Sequence, residues 1–270
     1  MHIYYQWIRW SYSYMAAKIV QKNLNCNDDE IIWLNNFNNV REKIKEWNLW
    51  VLPVENSYAG NIHTNLYNFL RYDVEVIGEV VLEIDHCLLS KENNISDIKK
   101  VYSHPQWLWQ CYNFLKENNI QAIEYSDTAT SAQMISQSSE KWIWAIASQM
   151  AGEIYWLNIL AKSIQDQKWN RTRFFLVKPK DLELVYPQKV WKITVLFETK
   201  NIPAALYKCL WWFATNSVNL TKIESLPSLK NPFTYIFWVD MEGKRDQISV
   251  QNALEELRLF SEEMNILWEY

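Results

Sequence analysis

The feature of the sequence that most limits its fold is a steady alternation of short apolar runs with amphipathic helical segments over its first two thirds. Apolar runs stand at 50–54 and 143–147, and Leu66, Phe69 and Leu70 lie on one face of a short helix. Parallel strands need such helical crossovers between them, so the alternation is typical of α/β domains. The sequence therefore predicts an α/β fold with mostly parallel sheets for this part of the chain.

The end of this region and its continuation have a different pattern. A helix is expected over 148–159 and a last strand over 174–177, and the two prolines within 178–190 predict a linker. Beyond the linker the predicted order is strand, helix, two strands, helix and strand, with Ile193, Val195 and Phe197 alternating in the first strand. The order βαββαβ is the ferredoxin-like motif, so we expect a second, smaller domain of that type.

The composition excludes several classes of protein. The chain of 270 residues carries a formal net charge of −4 and has a pI of about 5.7, whereas domains that bind nucleic-acid backbones are usually basic. No apolar stretch approaches the ~20 residues that span a bilayer, and no secretory signal is visible. The four cysteines form no CxxC pair, which is typical of reduced thiols. We therefore expect a cytoplasmic protein with no nucleic-acid or membrane partner.

Polar side chains cluster at three strand ends, at 55–57, 103–106 and 170–174. Each cluster alone is more often a helix cap or a solvated turn, but strand ends are also where α/β proteins place a ligand crevice. Arg171 and Arg173, together with the amides of a helix N-terminus, would suit a small anionic substrate. Structural or surface roles are expected for the four histidines, which are His2, His63, His86 and His104.

These clusters and their order resemble the pattern of the prephenate dehydratase family. The matching motifs are Tyr5-Gln6, Ser11-Tyr12-Ser13, Leu52-Pro53-Val54-Glu55-Asn56-Ser57, Ser103-His104-Pro105-Gln106, Gln110-Cys111, Asp127-Thr128-Ala129 and Thr172-Arg173-Phe174. The resemblance implies a catalytic domain with two α/β lobes around a cleft, like the type II periplasmic binding proteins. It also implies a lyase of phenylalanine biosynthesis that converts prephenate into phenylpyruvate, carbon dioxide and water, without a metal or cofactor.

The resemblance further implies roles for single residues. Thr172 is the expected catalytic hydroxyl, a positioned hydrogen-bond donor or proton relay to the departing oxygen, since a threonine is too weak an acid to ionise near neutral pH. Arg173 is the expected clamp for a substrate carboxylate. The implied substrate-binding residues are Arg173, Phe174, Glu55, Asn56, Ser57, Ser103, Gln106 and Gln110.

The tail from about 192 resembles an ACT domain, an amino-acid-sensing module. The implied site for the effector L-phenylalanine consists of Ala204, Ala205, Leu206, Glu224 and Ser225. Two residues depart from the family pattern, because Ala204 stands for a glycine and Leu226 for an arginine. Both departures are expected to weaken inhibition by phenylalanine without abolishing the pocket.

The expected domain boundaries follow from the resemblance and the linker. The catalytic domain is expected over 1–178, with lobes of about 1–78 plus 155–178 and of 79–154. The linker is expected over 179–190 and the ACT domain over 191–270. A homodimer or homotetramer is implied. Two other functions stay open: arogenate dehydratase, with the same chemistry on the aminated substrate, and a non-catalytic phenylalanine-binding regulator, against which the intact motif at 172–174 argues.

The scarcity of glycine is the one abnormal feature of the composition. The chain has 4 glycines and 16 tryptophans, whereas a chain of this length ordinarily carries roughly 19 glycines. Tryptophan stands at most positions where the family has glycine or another small residue: Trp7, Trp10, Trp50, Trp144, Trp156, Trp212 and Trp268. Our hypothesis is that the source genome decodes UGA as glycine and that the codon is translated here as tryptophan. The alternative is a protein that is genuinely rich in tryptophan.

Overall fold

The structure is a computed structural model that describes residues 1–6, 11–26, 31–34, 48–95, 99–126, 128–187, 191–228, 230 and 233–270. The predictions for Trp7, Trp10 and Asp127 lie outside the described residues. The chain divides into two compact units, Met1–Val74 with Glu79–Leu184, and Glu75–Gly78 with Val185–Tyr270. The described part contains no helix that is long and apolar enough to cross a membrane.

The first unit is built from two sheets and six described helices, and this confirms the predicted α/β class. Its strands are β1 (Ile3–Gln6), β2 (Ile31–Leu34), β3 (Leu49–Asn56), β4 (Gly60–Asn61), β5 (Val74–Glu83), β6 (Cys87–Ser90), β7 (Lys100–Ser103), β8 (Gln121–Glu124), β9 (Ile143–Ala147), β10 (Asn158–Ala161) and β11 (Arg171–Pro179). Its described helices are α1 (Tyr12–Leu24), α2 (His63–Arg71), α3 (Pro105–Gln110), α4 (Tyr112–Glu117), α5 (Thr128–Gln137) and α6 (Gln149–Ile154).

The two sheets are the centres of two lobes. The first has the order β2-β1-β3-β11-β5, with β4 paired to β3, and the second has the order β10-β6-β9-β7-β8. Parallel pairs join β1 to β2 and β3, and β7 to β8 and β9, whereas β11 runs antiparallel to β3. The chain passes between the sheets twice, over 84–86 and 162–170. These segments are hydrogen-bonded to each other, from the Ile84 amide to the Asn170 carbonyl and from the Ile164 amide to the His86 carbonyl.

Strand β9 shows why an uninterrupted apolar run is a strand here. All five of its residues are buried. Trp144 and Ile146 pack into the core on one face of the second sheet, and Ala145 and Ala147 pack into the core on the other face. A strand that is covered on both faces needs no polar alternation, and this accounts for its sequence.

One predicted helix boundary is wrong. The helix expected over 148–159 ends at Ile154, and Asn158–Ala161 is strand β10, which pairs antiparallel with β6. Because β6 belongs to the second sheet, the predicted assignment of 155–178 to the first lobe is wrong for β10. The pairing partner of β10 lies about 70 residues earlier in the chain, so no local pattern indicates it.

The second unit has the predicted βαββαβ order. Its elements are β12 (Lys192–Thr199), α7 (Ala205–Thr215), β13 (Leu220–Pro227), β14 (Tyr235–Glu242), α8 (Ile248–Phe260) and β15 (Ser261–Glu269). The strands form an antiparallel sheet in the order β13-β14-β12-β15. The two helices cover one face of the sheet, where Val195 and Phe197 pack with Phe213 and Leu254.

Several tryptophans occupy positions that suit glycine. Trp142 and Trp156 adopt φ angles of 68° and 56°, in the left-handed region that bulky residues rarely enter. Trp156 is 91% exposed, so no packing compensates for that conformation. Trp144 is fully buried, and its indole N–H has no hydrogen-bond partner among the described residues, although buried indoles usually find one. These features agree with the hypothesis that glycine belongs at such positions.

Candidate active site

A cavity of about 420 Å³ lies in the first unit, where the end of β3 meets the starts of α2, α3 and β11. Its volume is in the range of small-molecule sites. Four of the residues predicted to bind substrate line this cavity together with the predicted catalytic Thr172, and these four are Asn56, Gln106, Gln110 and Phe174. Lining residues that were not predicted include Tyr12, Asn61 and His63.

The strand register brings Thr172 to Asn56. Strand β11 runs antiparallel to β3, with Thr172 opposite Asn56 and Arg173 opposite Glu55. The register then shifts so that Phe174 faces Pro53. Side chains alternate between the two faces of a strand, so Thr172 and Phe174 reach the cavity while Arg173 points to the other face.

The carboxamide of Asn56 is held in one orientation. Its Oδ1 accepts hydrogen bonds from the backbone amides of Tyr58 and Ala59, at 3.1 and 2.8 Å. Its Nδ2 therefore faces Thr172 Oγ1 at 2.9 Å and Asn170 Oδ1 at 2.7 Å. The hydroxyl oxygen of Thr172 is an acceptor in this arrangement, which leaves the hydroxyl hydrogen available to a ligand in the cavity.

The hydrogen-bonded chain continues from Asn170 to the second lobe. Asn170 Nδ2 donates to Gln110 Oε1 at 3.0 Å, and His86 Nε2 lies 2.7 Å from the same oxygen. Asn170, Gln110 and His86 are all buried. Burial lowers the pKa of His86 to about 4, against a smaller opposing effect of the Gln110 hydrogen bond. The imidazole is thus neutral at physiological pH.

Arg173 and Glu55 are not brought to the cavity. The Nε of Arg173 lies 2.6 Å from Glu79 Oε2, and its Nη1 lies 3.5 Å from Glu55 Oε2. The guanidinium also lies over the ring of Phe175, 4.8 Å from the ring centroid. Both the Arg173 and the Glu79 side chains are nearly buried. The predicted carboxylate clamp therefore faces two protein carboxylates in this arrangement.

Two predicted serines have structural hydrogen bonds outside the cavity. The Ser57 hydroxyl donates to the Trp169 carbonyl at 3.1 Å and accepts from the Arg171 amide at 2.8 Å. The fully buried Ser103 hydroxyl donates to the Ile146 carbonyl at 2.8 Å. Ser57 thus holds the segment that leads into β11, and Ser103 joins neighbouring strands of the second sheet.

Tyr12 contributes to the site through the crossing segment between the sheets. Its hydroxyl donates to the Asp85 carbonyl at 2.7 Å and accepts from the Asp85 amide at 3.0 Å. Burial raises the pKa of Tyr12. The motif at 11–13 indicates this residue, and Asn170 lies in a predicted polar cluster. No sequence motif indicates His86, for which only a structural or surface role is expected.

The predicted effector residues lie in the second unit. Ala204 precedes α7 with a left-handed φ of 59°, and Ala205 and Leu206 begin that helix, the latter packed against the core. Glu224 and Ser225 lie in β13, and Leu226 beside them is fully buried. An arginine at position 226 would thus have to be buried in this structure.

The fold and the cavity together define a two-lobed α/β protein of the periplasmic-binding-protein type with a site of mostly uncharged hydrogen-bonding groups. The family model for prephenate dehydratase matches residues 3–182. The chain belongs to the prephenate dehydratase family.

Named relatives agree with this assignment. The chloroplastic arogenate dehydratase/prephenate dehydratase 2 of Arabidopsis thaliana is 36% identical over 100% of this chain and 72% of its own length. The prephenate dehydratase of Methanocaldococcus jannaschii is 35% identical over 90% of this chain and 88% of its own length.

Two solved structures are similar over the whole chain. Prephenate dehydratase from Arthrobacter aurescens, in complex with L-Phe, has a TM-score of 0.84 at 26% identity, covering 100% of this chain and 89% of that one. GqqA, described as a novel type of quorum quenching acylase, has a TM-score of 0.84 at 29% identity, covering 100% of this chain and 97% of that one.

Proposed function

We propose that the protein is a prephenate dehydratase that converts prephenate into phenylpyruvate, carbon dioxide and water. The observation that carries the proposal is the pairing of Thr172 with Asn56 at the wall of the cavity. Because Asn56 Nδ2 donates to Thr172 Oγ1, the threonine hydroxyl keeps its own hydrogen for a ligand. Such a group can assist the departure of a hydroxyl group from the substrate.

The proposed reaction is a decarboxylation coupled to loss of that hydroxyl. The bond between the ring and its carboxylate breaks, and its electron pair completes the aromatic ring. The ring C–O bond breaks, the oxygen keeps that electron pair, and it takes up one proton to leave as water. Thr172 donates a hydrogen bond or relays a proton to this oxygen, and the Asn56 amide stabilises the charge that Thr172 Oγ1 gains in that step.

The cavity supplies hydrogen bonds rather than a strong fixed charge for the substrate carboxylates. Gln106, Gln110 and Asn61 line it with carboxamides, and His63 lies at the first turn of α2, where helix amides favour an anion. Arg173 remains our proposed carboxylate clamp only if the substrate replaces Glu55 or Glu79 as its partner. Kinetics of a variant that lacks both Arg173 and Glu79 test such an exchange.

Arogenate dehydratase is the second candidate, because the Arabidopsis thaliana relative is named for both activities. The test is to incubate the purified protein with prephenate or with arogenate and to measure phenylpyruvate or phenylalanine, with Thr172→Ala as the control. We expect turnover of prephenate that is about 10²-fold or more slower in the control. Turnover of arogenate alone would replace the prephenate assignment by the second candidate.

Acylase activity is a further outcome of the same experiment, since GqqA has the same fold. Hydrolysis of an N-acyl substrate without turnover of prephenate or arogenate would overturn the proposal. The described partner of Thr172 Oγ1 is an amide donor rather than a general base. This partner favours a role for Thr172 as a hydrogen-bond donor rather than as a nucleophile.

We further propose that the second unit is an ACT domain through which L-phenylalanine inhibits the enzyme, with Ala204, Ala205, Leu206, Glu224 and Ser225 at the effector site. The βαββαβ order and the L-Phe complex of the Arthrobacter aurescens relative support this. A cytoplasmic homodimer or homotetramer is part of the proposal, and light scattering with and without phenylalanine tests the assembly. Binding of phenylalanine without any turnover would favour the non-catalytic regulator instead.

A further inference from the structure

His86 is a buried, ionisable residue of the first unit whose role the reaction leaves unexplained. It is fully buried in the segment that passes from the first sheet to the second. His86 does not line the cavity. Its Nε2 lies 2.7 Å from the side-chain oxygen of Gln110, and Gln110 is a lining residue. One face of the imidazole stacks on Trp107, with 4.2 Å between the ring centroids.

The surroundings select one tautomer of this imidazole. Nδ1 is buried and has no hydrogen-bond partner among the described residues. A hydrogen on Nδ1 would therefore be a buried donor without an acceptor, whereas a hydrogen on Nε2 has the Gln110 oxygen as its acceptor. His86 is thus a neutral Nε2–H donor.

The orientation of the Gln110 carboxamide follows from a row of hydrogen bonds that begins at Asn56. Backbone amides hold Asn56 Oδ1, so Asn56 Nδ2 donates to Asn170 Oδ1, and Asn170 Nδ2 in turn faces Gln110. The atom of Gln110 that meets this donor must be its oxygen. That oxygen therefore accepts from both Asn170 and His86, and the NH2 end of Gln110 is left for the cavity.

We propose that His86 is a positioning residue, which holds the Gln110 carboxamide so that a donor rather than an acceptor faces the substrate. The proposal rests on the proposed function, because it assumes an anionic substrate in the cavity. An NH2 group attracts a carboxylate, whereas a carbonyl oxygen in its place would repel it. Without the His86 donor, Gln110 loses one of the two hydrogen bonds that exclude the reversed orientation.

The first test compares His86→Leu with His86→Gln. Leucine keeps an apolar volume but no donor, whereas the glutamine NH2 can donate to Gln110. We expect kcat/KM for prephenate to fall about tenfold in His86→Leu, mainly through a higher KM, since one neutral hydrogen bond is lost. His86→Gln should restore most of the loss. If His86→Leu and His86→Gln both keep wild-type stability and lose kcat/KM to the same extent, the proposal is overturned.

The second test is a double-mutant cycle that a merely structural role would not satisfy. If His86 acts through Gln110, His86→Leu should lower kcat/KM less than about twofold in a Gln110→Leu background. A full tenfold loss in that background would overturn the proposal. Urea unfolding of all four proteins separates stability from activity.

The third test does not depend on turnover. Two-dimensional 1H–15N correlation of the imidazole nitrogens at pH 7.5 should show the hydrogen on Nε2 of His86 and an unprotonated Nδ1, with His86→Gln used for assignment. A hydrogen on Nδ1 would overturn the proposal even in an active enzyme. If the wild type has this tautomer but turns over neither prephenate nor arogenate, the proposed function fails. The proposal that His86 positions Gln110 for this substrate is then overturned as well.

Discussion

The side-chain nitrogen of Asn56 lies 2.9 Å from the hydroxyl oxygen of Thr172, although 116 positions separate the two residues in the chain. The contact is a direct consequence of the antiparallel register of β3 and β11, in which these residues stand opposite each other. The pairing of β3 with β11 within the first sheet therefore also brings together the proposed catalytic pair. Substitutions at either position should affect the reaction more than the fold.

Thr172→Ala should lower kcat by about 10²-fold or more and leave substrate affinity nearly unchanged, because the lost interaction is made mainly in the transition state. Steady-state kinetics with prephenate measure both quantities. Thr172→Ser is the matched control, since it keeps the hydroxyl and should retain most of the activity. An alanine variant with wild-type turnover would exclude Thr172 as the catalytic hydroxyl.

The sequence predicts which strand ends carry the site but not which side chains face the cavity. The motif at 172–174 and the motif at 103–106 both lie at strand ends, as expected. The alternation along β11 places Arg173 away from Thr172, but only the sheet shows that the Thr172 face is the cavity face. The role of His86 has no signal in the sequence, because its contact with Gln110 joins the segment between the sheets to the end of α3, and no spacing in the chain reports on it.

Arg173→Leu should lower the free energy of unfolding by about 3 kcal/mol, because it removes the guanidinium beside the nearly buried carboxylate of Glu79. Urea unfolding measures this loss. The double variant Arg173→Leu/Glu79→Leu should regain much of the stability, since the buried carboxylate is then removed as well.

The same double variant tests the proposed carboxylate clamp. If Arg173 also binds substrate, KM for prephenate should stay at least tenfold above that of the wild type after stability is regained. A KM within about twofold of the wild type would assign Arg173 to a purely structural ion pair.

His86 should make the stability of the first unit pH-dependent. Burial lowers its pKa to about 4 in the folded chain, despite the opposing charge of neighbouring Asp85, and an unfolded histidine titrates near ~6.5. Between these values the unfolded state binds more protons, so stability falls as the pH falls from about 6.5 towards 4. From pH 7.5 to pH 5 the His86 contribution should decrease by about 2 kcal/mol.

Urea unfolding of the wild type and of His86→Gln at pH 7.5 and pH 5 isolates this contribution. The loss of stability between the two pH values should be smaller in the variant by about that amount. Equal losses in both proteins would show that His86 titrates normally and is not buried as described.

Trp156→Gly and Trp142→Gly should each raise the free energy of unfolding by up to about 1 kcal/mol, because both residues have a left-handed φ that glycine adopts without steric cost. Trp211→Gly is the control. Trp211 lies within α7 and is half-exposed, so glycine there should lower stability by about 1 kcal/mol.

The origin of the tryptophans is a separate question with its own measurement. If the source genome decodes UGA as glycine, the intact mass of the protein from its native source should be lower than the mass with 16 tryptophans. A mass that agrees with all 16 tryptophans would establish a genuinely tryptophan-rich protein.

Ala204→Gly should tighten the binding of L-phenylalanine and lower the concentration that inhibits the enzyme. Ala204 has a φ of 59° and carries a methyl group where the family has glycine, so the substitution relieves backbone strain and opens space beside the proposed effector. Ser217→Gly is the matched control, because Ser217 has a φ of 56° at the other end of α7 and should gain stability without a change in phenylalanine affinity. Calorimetry measures the affinities, and coupling between the two sites is typically worth ~1–3 kcal/mol. If neither the wild type nor Ala204→Gly binds phenylalanine, and activity is unchanged at saturating phenylalanine, the second unit is not the proposed regulatory domain.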